Sequence, residues 1–240
     1  MSNPFGYVKQ AGKILCIGRN YLAHIQELNN AKPITPFFFL KPSSSILLPN
    51  QGPILIPQGV KVHHEVELAC IVGKTLQNLD PVKFGPEEAL DSISGYALGI
   101  DLTARNVQNE AKAKGLPWSI AKGFDTFLPL SAEIPKQKIT DPYNVELNLK
   151  INGQQRQKDL TNLMIFPIHK FLSKMSSIMT LQPGDIILTG TPKGVGPVVP
   201  GDVVEAWVST AGDGEGKVLE ESYMKFNAEE KPGPYFFTET

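Results

Sequence analysis

Short apolar runs, each cut off at strand length by turn residues, constrain this chain more than any other feature. They fall at residues 14–17, 37–40, 54–56, 66–72, 96–100, 145–151, 186–188 and 203–208. Pro, Gly, Asn or Asp bounds each run, and the 21 Gly and 20 Pro are spread along the whole chain. Runs this short end before a helical stripe can form, so the pattern predicts a β-rich mixed α+β fold with a few helices. The connections carry turn chemistry of their own. Asn152-Gly153 offers two residues that tolerate positive φ, the requirement of a type I′ hairpin. Pro183-Gly184-Asp185 and Pro200-Gly201-Asp202 place Pro then Gly as a type II turn needs, each just before a β-branched pair.

Three helices are predicted. One covers residues 103–114 and is stopped by Gly115. A second covers residues 167–180, where Ile168, Phe171, Leu172, Met175, Ile178 and Met179 recur on one face behind a first-turn proline, as core packing requires. A shorter one covers residues 21–28. A length of 240 residues fits a single catalytic domain over 1–240. No apolar run approaches the roughly 20 residues of a membrane span, and a net charge of −1 with no basic stripe argues against nucleic acid or a membrane as partner. Cys16 and Cys70 each sit inside an apolar run, so they read as reduced core residues of an intracellular protein. Residues 1–26 carry Lys9, Lys13 and Arg19 and no acid. That is the charge bias of organelle import without its Arg- and Ser-rich amphipathic character.

Chemistry concentrates where charges meet buried strands. In His63-His64-Glu65-Val66-Glu67-Leu68, a continuous strand would put Glu65 and Glu67 on one face, about 6.6 Å apart at Cα. Like charges that close repel unless a cation lies between them; an ordinary polar strand end is the alternative. Asp101 closes another apolar run and stands before a helix, where it serves either as a helix cap or as a third carboxylate. Hard oxygen ligands of this kind suit Mg²⁺ or Mn²⁺, and the histidines and cysteines show no zinc spacing. His24 and Glu27 share a helix face, the pairing of an oriented base or of a solvated surface. Lys122 follows an apolar stretch with Trp118 and is suited to neutralising a carboxylate, or is a surface lysine. Thr189-Gly190-Thr191-Pro192-Lys193-Gly194-Val195-Gly196 lacks the order of a nucleotide-binding P-loop. Its backbone N–H groups can still cradle a carboxylate.

Taken in order, these stretches resemble the fumarylacetoacetate hydrolase family over nearly the whole chain. The resemblance rests on Cys16-Ile17-Gly18-Arg19-Asn20-Tyr21, His24, Glu27, Phe39-Leu40-Lys41-Pro42 and His63-His64-Glu65-Val66-Glu67-Leu68. It extends to Gly99-Ile100-Asp101-Leu102-Thr103-Ala104-Arg105, Lys114-Gly115-Leu116-Pro117-Trp118, Ala121-Lys122 and the 185–196 stretch. It implies a β-sandwich or roll with peripheral helices, a homodimer, and Mg²⁺ (or Mn²⁺) on Glu65, Glu67 and Asp101. It also implies a lid near residues 21–35 bearing the His24–Glu27 dyad, with Lys122 and Gln108 touching substrate and Arg19 and Thr191 in the pocket. The short branch it resembles acts on acylpyruvates and oxaloacetate. The 24–40 segment and Lys231-Pro232-Gly233-Pro234-Tyr235 look most like fungal mitochondrial members, with a cytoplasmic location as the alternative. The Ser-rich 42–46 and the 212–216 segment look like loop variation.

The expected chemistry is a metal-stabilised enolate of a small 2-oxo acid, with Lys122 and Arg19 balancing substrate charge. Oxaloacetate keto–enol tautomerisation demands least of such a site. Acylpyruvate C–C hydrolysis, with water activated by His24 and Glu27, and oxaloacetate decarboxylation are the alternatives, and a non-catalytic metal-binding domain is the remaining one. In this expectation tautomerisation handles its carbon proton through another group, such as Lys122.

Overall fold

Strand-length apolar runs become strands in a computed structural model that describes residues 3–211 and 216–239. A six-stranded sheet runs in the order Ile134–Pro135, Ile93–Ile100, Val66–Val72, Ile186–Leu188, Ile14–Gly18, Phe37–Lys41. A five-stranded sheet runs Gln154–Leu160, Val145–Ile151, Val203–Thr210, Met224–Glu230, Ile54–Ile56. A small third sheet joins Gly196–Val198, Val62–His64 and Thr103–Ala104. The expected mixed β-rich architecture with peripheral helices is observed.

Alternation along the strands divides the core. Leu15, Ile17, Val66, Leu68, Cys70 and Val72 face one way and pack with Leu147, Leu149, Val204, Ala206 and Val208 of the five-stranded sheet. Ile14, Cys16, Ala69, Ile71, Ala97, Ile186 and Leu188 face the other way and pack with Tyr7, Leu128 and Leu130. All seven residues of Val66–Val72 are therefore buried. Both cysteines are free and buried within these layers.

The turn chemistry does what its residues dictate. Gly184 and Gly201 have φ of 91° and 94°. Asp185 N–H bonds to the Gln182 carbonyl at 3.0 Å and Asp202 N–H to the Val199 carbonyl at 3.1 Å, closing two type II turns. Asn152 and Gly153 both have positive φ, and the hairpin pairs Ile151 with Gln154. The helices are shorter than expected. The first long one begins at Arg105, because Thr103–Ala104 extend to pair with Val62–His64; it ends at Gly115 with φ 67°. The second spans Ile168–Ser176 and buries Ile168, Phe171, Leu172 and Met175. It stops before Ile178, which is out of the stripe and exposed. The third covers Leu22–Glu27. Helices at Gly6–Gln10, Pro86–Asp91 and Ser119–Lys122 went unpredicted, each too short to show a period. Ser43–Ser45 form one 3₁₀ turn, while the 212–216 segment, Gly216 apart, lies outside the described residues. Of the three basic residues near the N-terminus, Lys9 lies in the first helix, Lys13 pairs with Asp185, and Arg19 follows a core strand.

Candidate metal centre and active site

The continuous strand expected over residues 63–72 is broken at Glu65. Val62–His64 pairs with Gly196–Val198 and Thr103–Ala104, whereas Val66–Val72 pairs with Ile93–Ile100 and Ile186–Leu188. Glu65 stands where the chain passes from one sheet to another. Val66 opposes Ile100 in the antiparallel ladder, so one step further Glu65 comes level with Asp101, whose N–H donates to the Glu65 carbonyl at 2.8 Å. Glu67 lies two residues along. The three carboxylates converge, with one oxygen of each within 4.8 Å of the others, and all three residues are buried. Asp101 is no helix cap: the helix starts beyond it, with Ala104 at the cap position and no side-chain cap bond.

Buried cations gather round this cluster. Lys122 is 1% exposed, and its ammonium donates to Glu65 Oε2 at 3.0 Å, Asp101 Oδ2 at 2.6 Å and Thr103 Oγ1 at 2.6 Å. Its three protons are thereby engaged. Burial works against its charge, but Asp101 and Glu65 outweigh burial and raise its pKa. Lys41 reaches Asp101 Oδ1 at 2.7 Å and the Leu102 carbonyl at 3.1 Å. Arg105 bonds Glu65 Oε1 and, at 2.7 Å, Gln108 Oε1. Burial works against ionising Glu65, yet Lys122 and Arg105 hold its carboxyl below the usual range. Sequence reasoning included Lys41 and Arg105 in matching stretches without giving either a role. A lysine closing an apolar run and an arginine opening a helix were the available signals.

Glu67 is the exception. Its Oε2 accepts the Gly190 N–H at 2.6 Å, but no lysine or arginine among the described residues bonds it. Burial, with Asp101 and Glu65 beside it, pushes its carboxyl well above the usual range. A buried carboxylate without a cation is costly, and a dication facing all three acids removes that cost. The donor set is all hard oxygen, so the residues fit a divalent cation of the Mg²⁺ or Mn²⁺ kind.

His24 is buried on the Leu22–Glu27 helix, with Nδ1 3.7 Å from Glu27 Oε2 and without a hydrogen-bond partner. Burial lowers its pKa more than Glu65 and Glu27 raise it, so the imidazole is less basic than the pairing alone suggests. Both Glu27 oxygens accept the Gly194 N–H, at 3.1 and 3.2 Å, which ties the helix to the glycine-rich loop.

Arg19, His24, Gln108, Lys122 and Thr191 line one narrow cavity of about 40 Å³ together with Glu65, Glu67 and Asp101. Arg19 adopts φ 60° and lies over the Phe37 ring at 5.6 Å. Thr191 donates to the Val66 carbonyl at 2.8 Å. The same lining holds Lys112, 5.5 Å above the Trp118 ring, a residue that sequence reasoning passed over as part of a polar helix. The arrangement can bind a dication and a small anion, and it places a buried imidazole beside them.

A family model described as the C-terminal region of fumarylacetoacetate (FAA) hydrolase matches residues 13–219. The mitochondrial oxaloacetate tautomerase of Saccharomyces cerevisiae is 50% identical, over 98% of this chain and 99% of its own. That of Schizosaccharomyces pombe is 56% identical over 87% and 93%. A mitochondrial oxaloacetate decarboxylase of Dictyostelium discoideum is 51% identical over 82% and 88%. Among solved structures, a yeast fumarylacetoacetate hydrolase family protein superposes with TM-score 0.86 at 50% identity, covering 98% of this chain and all of that one. Fumarylpyruvate hydrolase of Pseudomonas aeruginosa, in complex with Mn²⁺ and pyruvate, superposes with TM-score 0.78 at 28% identity, covering 92% and 91%.

Proposed function

The chain belongs to the fumarylacetoacetate hydrolase family, and on that premise we propose that it is an oxaloacetate keto–enol tautomerase working through an enolate. The observation that carries this reading is the convergence of Glu65, Glu67 and Asp101 in one cavity with His24 and Lys122. Tautomerase relatives at about half identity over nearly the whole chain supply the substrate. Glu65, Glu67 and Asp101 hold the cation, Mg²⁺ with Mn²⁺ as substitute. When bound, it supplies Lewis-acid stabilisation for charge developing on the 2-oxo oxygen.

The residues divide the remaining work. Lys41, Arg105 and Lys122 match the three carboxylates in number, so an added dication leaves a positive site for a dianionic acid. Arg19 and Lys112 at the cavity wall take its distal carboxylate, and Gln108 and Thr191 orient it. His24 moves the proton. Glu27 faces Nδ1, which favours the tautomer protonated there and leaves Nε2 as the base. Nε2 takes a proton from C3 of the keto acid and, as the imidazolium, returns it to the C2 oxygen, which completes the enol and restores the neutral base. Lys122, with its protons engaged, keeps Glu65 and Asp101 in place and is no carbon base. The cavity is narrow, and a four-carbon diacid enters as the 21–35 lid moves and the Glu27–Gly194 contact opens.

Oxaloacetate decarboxylation is the second reading, favoured by the Dictyostelium relative and drawing on the same enolate. The protein functions in mitochondria, as the names of its relatives indicate, as one catalytic domain over 1–240 and as a homodimer. The test is an assay of purified protein with enol-oxaloacetate, keto-oxaloacetate and acetylpyruvate, each with and without EDTA. EDTA-sensitive interconversion of the two oxaloacetate forms, faster than carbon dioxide release or acetylpyruvate cleavage, is expected. Interconversion no faster than in buffer would sink the reading.

A further inference from the structure

The Gln154–Leu160 strand carries an irregularity with consequences for the site. Lys150 opposes Gln155 while Leu149 opposes Gln157, so Arg156 is an extra residue, a β-bulge. Bulges re-aim side chains. Here Gln155, Arg156 and Lys158 are exposed, and Gln157 between them is fully buried.

Its amide makes four contacts. Oε1 accepts the Val66 N–H at 3.0 Å and lies 3.0 Å from His64 Nδ1. Nε2 donates to Thr191 Oγ1 at 2.8 Å and to the Pro192 carbonyl at 2.9 Å. These directions are forced, because a backbone N–H only donates and a carbonyl only accepts, so the amide cannot be turned over. Thr191, receiving a proton from Nε2, gives its own to the Val66 carbonyl at 2.8 Å. Both backbone polar groups of Val66, the residue between Glu65 and Glu67, are thus satisfied by Gln157 and Thr191. They need such partners because the neighbouring strand has run out: Ile186–Leu188 pairs only as far as Ala69, and Thr189 then bonds the Leu68 carbonyl. The bulge also fits the glycine-rich loop. A Cβ at Gly194, φ 92°, would lie 2.1 Å from the Arg156 carbonyl oxygen, and Gly194 N–H is the donor that holds Glu27.

We propose that Gln157 is a positioning residue. Through Val66 it holds Glu65 and Glu67 at the spacing a divalent cation requires, and through Thr191 it holds the wall of the substrate cavity. This rests on the reading of the three carboxylates as a metal site. It touches neither cation nor substrate itself.

Two full-length variants test it. Gln157→Met keeps the volume and removes all four contacts. Gln157→Glu keeps an acceptor for Val66 and loses the donors to Thr191 and Pro192. The measurements are the Mn²⁺ dissociation constant from titration of free Mn²⁺ by electron paramagnetic resonance, KM and kcat with oxaloacetate, and the thermal midpoint. Gln157→Met is expected to weaken Mn²⁺ by about 10–100-fold, the usual cost of losing a group that orients a ligand. Gln157→Glu is expected to bind Mn²⁺ nearly as the parent does while its KM rises roughly tenfold. Mn²⁺ affinity and KM unchanged in folded Gln157→Met overturn the proposal. So does a fall in thermal midpoint alone, or failure of both variants to fold, either of which assigns Gln157 to stability. If the parent protein binds no Mn²⁺, the metal reading falls and takes the Val66 half with it; the KM of Gln157→Glu then decides the Thr191 half.

Discussion

Glu67 is the one carboxyl of the three that no lysine or arginine among the described residues bonds, which makes it the most informative side chain to remove. Arg105 and Lys122 bond Glu65, and Lys41 and Lys122 bond Asp101, whereas among the described residues Glu67 is bonded by the Gly190 N–H alone. Glu67→Ala should abolish Mn²⁺ binding by titration and remove tautomerisation, decarboxylation and acylpyruvate cleavage together. Its thermal midpoint in EDTA should stay at or above that of the parent, because a buried acid without a cation stabilises nothing. Survival of any one activity in this variant would separate that activity from the metal. His24→Ala tests the other half of the site. With His24 as the carbon base, tautomerisation and hydrolysis should fall together, by about 10²–10⁴-fold. A variant that loses cleavage but keeps tautomerisation would return the carbon proton to another group. The pH dependence has a definite sign. With His24 as the base, neutral imidazole is the active form, and burial lowers its pKa, so the acid-side midpoint of kcat/KM should lie below the ordinary imidazole value of about 6.5. A decline that begins above pH 7 would contradict this.

At the scale of elements, the site depends on contacts between segments that each look ordinary. The glycine-rich loop takes the shape it does because Gly194 adopts positive φ against the Arg156 carbonyl. Gly194→Ala should strain the loop, costing about 1–3 kcal/mol in chemical unfolding, and should raise KM by withdrawing the N–H that holds Glu27. A variant with unchanged KM would show that the tie between the Leu22–Glu27 helix and the loop has no part in binding. The Ile168–Ser176 helix does a different job. Its stripe of Ile168, Phe171, Leu172 and Met175 is fully buried, and none of the four lines the cavity that holds Glu65, Glu67 and Asp101. Phe171→Ala should therefore cost about 3–5 kcal/mol of stability, with KM and Mn²⁺ affinity of the folded protein unchanged.

For the molecule as a whole, the sheets explain why carboxylates can be buried at all. Val66–Val72 is covered on both faces, and its charged end opens where three sheets meet: the six-stranded sheet, the small sheet of Val62–His64, and the bulged edge of the five-stranded one. Leu40 and Leu116 remain exposed in a groove they share with Trp118. A dimer is expected by sedimentation velocity at micromolar concentration, and a monomer alone under those conditions would count against the homodimer.

Much of this was legible in the chain before it folded. Strand-length runs, the Asn152-Gly153 hairpin and the two Pro-Gly-Asp turns follow from side-chain period and backbone φ, which are local properties. The identities of Glu65, Glu67 and Asp101 as candidate ligands could also be read, because acids at the ends of apolar runs are conspicuous. Other features required the tertiary structure. The break at Glu65 arises because two different sheets compete for one run of chain, and no residue within the run announces it. Lys41, Arg105 and Lys122 meet the carboxylates across as many as 60 positions, and Gln157 reaches Val66 across 91. Periodicity records which face a side chain takes. It does not record which distant group waits on that face, and the charge balance of the site is decided by that pairing.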